Sequence, residues 1–483
     1  MAESTVRARA GDADAAALIS ARIDRIPVFP YSTAIYFIVG MGFFFSFFEI
    51  GSIGPVLPKV IAAEHSSTVA GATAVSLGLW GYIAGSPLNS LLSDRLGRRI
   101  ALLSAMCLYG IGALGGAFAA SMPEFTAFRF IGGMGIGASI SVISTYISEI
   151  SPANRRGRAM ALTCMPAVFG SAVTPFIGLW LVPDYSWGWR VMTAIPVLGT
   201  AAFLVGFRLL PESPRWLAAT GRYDDAERIV GAAERFAVAR TGAALPPPVV
   251  SPHREAAALG WLARLSLLLR PPNVRWTITF LLLWVCQTLP AYGISGFGVT
   301  LLTEHGFTLQ KSIELTFGQS VGAVVGGFVA LRAGDRLPRK WVAACCATLA
   351  GAGLLALGFH PANWLILVGF GLVSFQTGVC SAVVYLLTAE HFPTQVRNTG
   401  VAVSDGAGHL GGAVAAWVAV TVYAAAGFAA VWTVMGLIFV VYVALVSTTR
   451  LTTARPLEEI GAAAVIAPDT PIVTDVRIDV KEA

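Results

Sequence analysis

Long apolar runs dominate the chain, and short clusters of charge separate them where a soluble fold would alternate polar and apolar positions. A helix that crosses a bilayer needs about 20 largely apolar residues. Stretches near 32–60, 69–92, 100–120, 123–148, 159–182 and 189–210 meet that length, and after a polar interval so do those near 273–302, 313–333, 341–358, 362–388, 401–425 and 427–449. The pattern predicts an all-α membrane protein of twelve transmembrane helices in two sets of six. Within the fourth stretch Gly133 and Gly137 stand one turn apart, a small-residue spacing that lets a second helix approach backbone to backbone.

The expected organisation is a segment 1–31, a first six-helix bundle 32–210, a linker 211–272, a second bundle 273–449 and a tail 450–483. The linker contains a helix-like GRYDDAERIVGAAERFAVAR, prolines at 246–248 and an amphipathic piece around Trp261 to Arg270, read as an interfacial helix. The tail, rich in Thr, Ala, Pro and Asp, reads as disordered. The two sets of helices also repeat. SDRLGRR at Ser93–Arg99 returns as GDRLPRK at Gly334–Lys340, and SEISPANRRG at Ser148–Gly157 returns as AEHFPTQVRN at Ala389–Asn398. Asp94 and Asp335 lie 241 places apart, and so do Glu149 and Glu390, Pro152 and Pro393, and Arg156 and Arg397. A duplication explains this. Parallel six-helix repeats pack around a central site and rock against each other.

Composition agrees with the pattern: 55% of the 483 residues are hydrophobic and 12% charged, against roughly 25% charged in a soluble domain. The net charge of +6 does not point to nucleic acid, because the arginines gather in alternate connections: Arg95, Arg98 and Arg99, then Arg155, Arg156 and Arg158, then the linker, then Arg336, Arg339 and Lys340, then Arg397. That alternation is the positive-inside rule, and it places both termini in the cytoplasm of a multi-pass protein of the cell (inner or plasma) membrane. The six cysteines fall in apolar segments without metal-ligand spacing, so free, buried thiols are expected. The mixed charges before the first apolar run exclude a cleavable signal peptide.

Three motifs sit at the ends these helices predict: SDRLGRR after the second, YISEISPANRRGR after the fourth and LPESPRW after the sixth. Together they resemble the major facilitator superfamily, in its sugar-porter and metabolite:proton symporter branch, over about residues 35–450. Ser90 stands where that family usually has glycine. Paired glutamines in the seventh helix and a PVPW-like run in the tenth mark sugar porters. This chain has Gln287 alone and GLVSFQTGVC, and YLLTAEHFPTQVRNTG is similar to the organic-acid symporters of the branch.

Charges inside membrane helices are costly and rare, which singles out Glu49 and Arg129. Glu49 stands about 24 Å along its helix from Thr33, and Arg129 about 30 Å from Glu149, heights close enough for a pair. A carboxylate in apolar surroundings resists ionisation and a nearby guanidinium favours it, so a Glu49–Arg129 distance that changes as the halves rock would load and release a proton. A fixed ion pair, or a snorkelling Arg129, is the alternative. Glu49 is similar to the acid that proton-coupled relatives carry in the first helix. Asp405 and His409, four apart on the eleventh helix, are a second candidate coupling pair, or else a solvated helix end.

Gln287 and Gln376 sit roughly 20 Å from the inner face, near the midplane. With Tyr292, Tyr146 and Tyr385, on the helices that line the cavity in the family, they are the candidate substrate contacts. Helix-to-helix hydrogen bonding is the alternative for each. The resemblance also implies a cytoplasmic gate of Asp94, Arg95, Arg98, Arg99, Glu149, Arg156, Glu212 and Arg215, with repeat partners Asp335, Arg336, Glu390 and Arg397, whose pairs clasp the halves in one state and part in the other. The resulting expectation is a secondary active transporter that carries a small polar or anionic metabolite, an organic acid or sugar-like molecule, with a proton by alternating access. An exporter on the same fold and a non-transporting metabolite sensor are the alternatives. No GxxxxGK loop and no nucleophile–base constellation is present, so neither a primary pump nor an enzyme is indicated. The expected partners are the substrate and the lipid bilayer for a monomeric chain, with no nucleic acid, no metal and no cofactor beyond the coupling proton.

Overall fold

The computed structural model describes residues 15–249, 261–333, 337–359, 362–393 and 395–451, apart from the side chains of 331–333, 381 and 382. All regular structure among these residues is helical. The first six spans are Thr33–Ala63, Thr68–Leu96, Arg98–Phe118, Met122–Ile150, Arg156–Leu181 and Gly188–Leu209, the sixth interrupted at Pro196. The seventh is Asn273–Glu304, the eighth Leu309–Leu315 continued as Phe317–Ala333, the ninth Arg339–Phe359 and the tenth Asn363–His391. Serines begin several of them: the side chains of Ser32, Ser67 and Ser121 accept from the backbone N–H of Ala34, Ala70 and Glu124, supplying an acceptor that a helix start otherwise lacks.

The last helix, Arg397–Ser447, holds 51 residues. At 1.5 Å per residue that is about 77 Å, more than twice the hydrocarbon thickness of a bilayer. Gly427 breaks it with φ 79° and ψ −173°, a conformation other residues avoid, and the chain folds into eleventh and twelfth spans on either side. Twelve spans therefore stand among the described residues, and it is an all-α membrane protein.

Packing repeats as the sequence does. The second and fourth, third and fourth, and first and fifth spans pair in the first set, and the eighth and tenth, ninth and tenth, and seventh and eleventh in the second. A Cβ on Gly133 would lie 1.9 Å from the Gly78 carbonyl oxygen and one on Gly137 2.1 Å from that of Tyr82, so the second and fourth helices touch through their backbones. Gly318 and Gly322 meet the carbonyls of Leu367 and Gly371 in the same way. Ser90, in place of the usual glycine, sets its hydroxyl 3.2 Å from that of Ser141.

The sets are fastened to each other from mid-depth to the end away from the arginines. Thr68 donates to Glu304 at 2.6 Å, Trp417 Nε1 to Thr73 at 3.3 Å, and Ser320 to the Ala172 carbonyl at 2.9 Å. Phe176 stacks on Phe317, and Gly54 lets the first helix approach the Ser295 carbonyl. At the arginine-rich end every hydrogen bond and ion pair among the described residues stays within one set.

Among the described residues of the linker stand the helices Pro214–Ala219, Tyr223–Thr241 and Trp261–Leu268. A helix at 15–24, unforeseen in the mixed charges of the N-terminal segment, packs Ile19 and Ile23 on Trp216, Leu217, Ala226 and Val230. Arg22 from it and Arg25 just past it both bind Glu234, at 2.8 and 2.7 Å. All six cysteines are free, but not all are buried. Successive helix residues point about 100° apart, so Cys346 faces the core and Cys345 is exposed. The expected tail, past residue 451, lies outside the described residues.

Candidate transport site

Glu49 and Arg129 form an ion pair, with Nη1 of Arg129 3.0 Å from Oε1 of Glu49. Glu49 is 3% exposed, enclosed where the first four spans meet. Missing side chains make the room. A Cβ on Gly132 would lie 2.9 Å from Oε1, and one on Gly78 would lie 3.4 Å from the guanidinium. The pair is incompletely satisfied: Oε2 of Glu49, Nε of Arg129 and the hydroxyl of nearby Tyr109 are buried without a hydrogen-bond partner among the described residues. An ion pair in low dielectric is held by its geometry and its remaining hydrogen bonds, so a bare Oε2 is an acceptor waiting for a proton or a water. Both partners belong to the first set of helices, so rocking of the halves alters what reaches the pair more than the distance within it.

A second constellation lies where the two sets meet at mid-depth. His409 packs its ring 4.2 Å from that of Tyr82, the midpoint of the second helix, and 6.2 Å from Tyr292 of the seventh. Its Nε2 is 3.9 Å from Oδ2 of Asp405, and its Nδ1 is buried without a partner among the described residues. Tyr385 of the tenth helix donates its hydroxyl to Oδ1 of Asp405 and sets its ring 4.5 Å from Trp284. Four helices thus bring three tyrosines, a tryptophan, a histidine and a carboxylate together. Tyr292, Tyr385, Asp405 and His409 were singled out in the sequence; Tyr82 and Trp284 were not. The signal for Tyr82 was a lone polar-tipped ring in a run of glycines, GLWGYIAG.

The other candidate substrate contacts sit elsewhere. Tyr146 is buried near the arginine-rich end, its hydroxyl donating to the Pro211 carbonyl at 2.7 Å, so it ties the fourth helix to the LPESPRW turn, away from the aromatic cluster. It is only three residues from Glu149, which puts it too close to the helix end for the central site. Gln287 and Gln376 are buried inside the second set: Gln287 accepts from Tyr442, and Gln376 lies beside Cys380. In this state both are interior groups of one bundle.

The loop charges form one lattice on each set. Arg98 grips Glu149 with two hydrogen bonds of 2.9 Å and also reaches Asp94 at 3.0 Å. Glu212 accepts from the backbone N–H groups of Arg98, Arg99 and Ser213, capping the third helix. Burial lifts its carboxyl above the ordinary value despite these bonds. Arg215 donates to the Glu149 carbonyl and to Asp24, which also lies 3.8 Å from Arg156. Arg99 donates to the Phe207 carbonyl, and Arg95 is exposed. In the second set Arg339 pairs with Glu390. Arg156 Nε donates to the Ser148 carbonyl at 3.0 Å and Arg397 Nε to that of Ala389 at 3.1 Å, the same bond 241 residues on. Asp335 and Arg336 lie outside the described residues. The repeat partner of Arg98 is Arg339, which the choice of Arg336 passed over although the offset named it.

Residues 38–463 match the family described as sugar (and other) transporter. The chain belongs to that family. A putative metabolite transport protein, YyaJ, of Bacillus subtilis is 30% identical over 395 residues, 80% of this chain and 85% of its own length. The niacin transporter NiaP of Acinetobacter baylyi is 27% identical over 91% of this chain and 99% of its own. Among solved structures, the inward open conformation of the xylose transporter XylE from E. coli superposes with a TM-score of 0.70 at 20% identity, covering 90% of this chain and all of that one. The fold is that of the major facilitator superfamily, and this family member is a transporter of small metabolites.

Proposed function

We propose that this transporter moves a small ring-bearing polar or anionic metabolite together with a proton, by alternating access. The positive-inside rule supports a cytoplasmic arginine-rich face, and the bonds between the sets at the opposite end support reading this as the inward-open state. The cage of Tyr82, Tyr292, Tyr385, Trp284 and His409 supports a planar substrate, since aromatic faces favour stacked and edge-on partners. Niacin, carried by one relative, is a planar acid of that kind.

The observation that carries the coupling is the buried Glu49–Arg129 pair with one oxygen left bare. Protonation at Oε2 removes the counter-charge of Arg129, and the protein interior then favours an incoming anion. Loss of the substrate restores the pair and expels the proton. Each half-cycle is electrostatically closed only when proton and anion travel together. The test is uptake of radiolabelled nicotinate and of a panel of aromatic and aliphatic acids into proteoliposomes with an imposed pH gradient. Accumulation is expected for the unaltered protein. In Glu49→Gln, gradient-driven accumulation is expected to vanish while exchange of substrate across the membrane continues. Undiminished accumulation by that variant would remove Glu49 from the mechanism.

A further inference from the structure

Arginines without a carboxylate partner among the described residues occur on both sets, Arg95, Arg158 and Arg208 on the first, but on the second they gather in one place. On the first set Arg22, Arg25, Arg98 and Arg215 are matched by carboxylates. On the second, around Trp276 at the start of the seventh helix, cations gather without any. The guanidinium carbons of Arg275 and Arg450 each lie 5.0 Å from the centre of the Trp276 ring. Neither pairs with an acid among the described residues, and the same holds for Arg264 and Arg270 on and after the helix Trp261–Leu268. Nε of Arg264 is buried with no acceptor there.

His391 closes the rear of the cluster, its ring 4.6 Å from Trp276. It adds no charge, because its Nε2 accepts the backbone N–H of Arg450 and the ring must then be neutral. The helix Trp261–Leu268 is anchored beside the same point. Thr277 donates to the Leu268 carbonyl, Asn273 to that of Leu267, and the helix packs on the long helix Arg397–Ser447. Trp261, Leu262 and Leu269 are 64%, 76% and 68% exposed. An amphipathic helix with tryptophan and leucine outward lies at the boundary of headgroups and acyl chains. The duplication does not supply these parts, since the positions 241 residues before Arg275, Trp276 and Arg450 hold Ala34, Ile35 and Leu209.

We propose that this cluster is a seat for the phosphate of an anionic phospholipid, held by the guanidiniums of Arg275 and Arg450 while the apolar side chains of the helix Trp261–Leu268 enter the acyl layer. Guanidiniums match phosphate oxygens in pairs, and each cation at a membrane surface strengthens anionic-lipid binding about fivefold. The experiment titrates the detergent-solubilised full chain with short-chain phosphatidylglycerol, short-chain phosphatidylcholine and inorganic phosphate, read by native mass spectrometry and melting temperature. Phosphatidylglycerol is expected to bind at least tenfold more tightly than phosphatidylcholine. The affinity for phosphatidylglycerol should fall about 25-fold in Arg275→Gln/Arg450→Gln, abolishing the preference, and the preference should persist in Arg235→Gln/Arg240→Gln, an equal charge change on the helix Tyr223–Thr241. If the double variant does not fold, Arg275→Gln alone, at an exposed position, carries the test with an expected loss of about fivefold. Equal binding of the two lipids, equal losses in both double variants, or retention of the preference without Arg275 and Arg450 would each overturn the assignment. Inorganic phosphate that displaced the lipid at equal concentration would overturn it in favour of a site for a free anion.

Discussion

A methyl group at Gly132 would sit in ordinary contact 3.6 Å from the Cα of Gly112 but only 2.9 Å from Oε1 of Glu49, so the carboxylate would have to move. Gly132→Ala is expected to lower stability by about 1–3 kcal/mol, the usual cost of overpacking, and to displace the ion pair. Thermal melting in detergent reads the first effect and gradient-driven uptake the second. The pair itself gives a sharper test. Arg129→Gln strands a buried carboxylate and should cost about 3–5 kcal/mol. Adding Glu49→Gln to that variant should recover most of the loss without recovering accumulation, and a double variant no more stable than Arg129→Gln would show that the two charges do not balance each other. These residues were legible because an acid and an arginine inside apolar runs have few reasons to be there. Gln287 and Gln376 were legible in depth only. Rotation by one residue turns a helix side chain by about 100°, and no pattern in GLVSFQTGVC or WVCQTLP says which way an amide points. The partner of Tyr146 was not legible for a plainer reason: it is a carbonyl of a connection, and that carbonyl's position depends on how the linker folds back.

At the scale of elements, span length and apolarity placed each helix to within a few residues, since the bilayer dictates both. The helix at 15–24 obeys no such constraint. Its described part is short, with one arginine and one aspartate among small and apolar residues, marginal alone, and it forms against the linker because Ile19 and Ile23 find Trp216 and Val230 while Arg22, and Arg25 just past it, find Glu234. Burial raises the carboxyl of Glu234, but the hydrogen bonds from Arg22 and Arg25 outweigh it and hold the group below its ordinary 4.5. A carboxylate with a depressed folded value contributes stability that is complete above the unfolded value and lost as pH falls through the folded one. Docking of this helix should therefore be unchanged between pH 7 and pH 5 and weaken below about 4.5. Hydrogen exchange of residues 15–24 measures it. Glu234→Gln should bring the weakened, fast-exchanging state to neutral pH, and protection that ignored both acid and the substitution would mean that the apolar contacts alone hold the helix.

For the whole molecule, the offset of 241 residues did more than reveal two sets of helices: it predicted which hydrogen bonds recur, as Arg156 to Ser148 and Arg397 to Ala389 show. What it could not carry is how the sets lean on each other, because contacts across a pseudo-symmetry axis join non-equivalent residues such as Tyr82 and His409. Gly54 controls one of those contacts. Its missing side chain lets the first helix come so close to the seventh that a Cβ would lie 2.5 Å from the Ser295 carbonyl oxygen, a backbone atom that cannot swing aside. Gly54→Trp should therefore prevent closure of the end away from the arginines and leave the arginine-rich ends drawn together. Spin labels at Arg95→Cys, in the last turn of the second helix, and Leu337→Cys, before the ninth, both at exposed positions of opposite sets, report that separation. In the unaltered background the distance should be long. With Gly54→Trp it should shorten and uptake should stop, while substrate still binds from the opposite face. Because a two-state equilibrium moves only by the free energy that separates its states, a backbone clash of this severity should shift nearly the whole population, and an unchanged distance distribution with transport intact would show that the halves do not pivot about this contact.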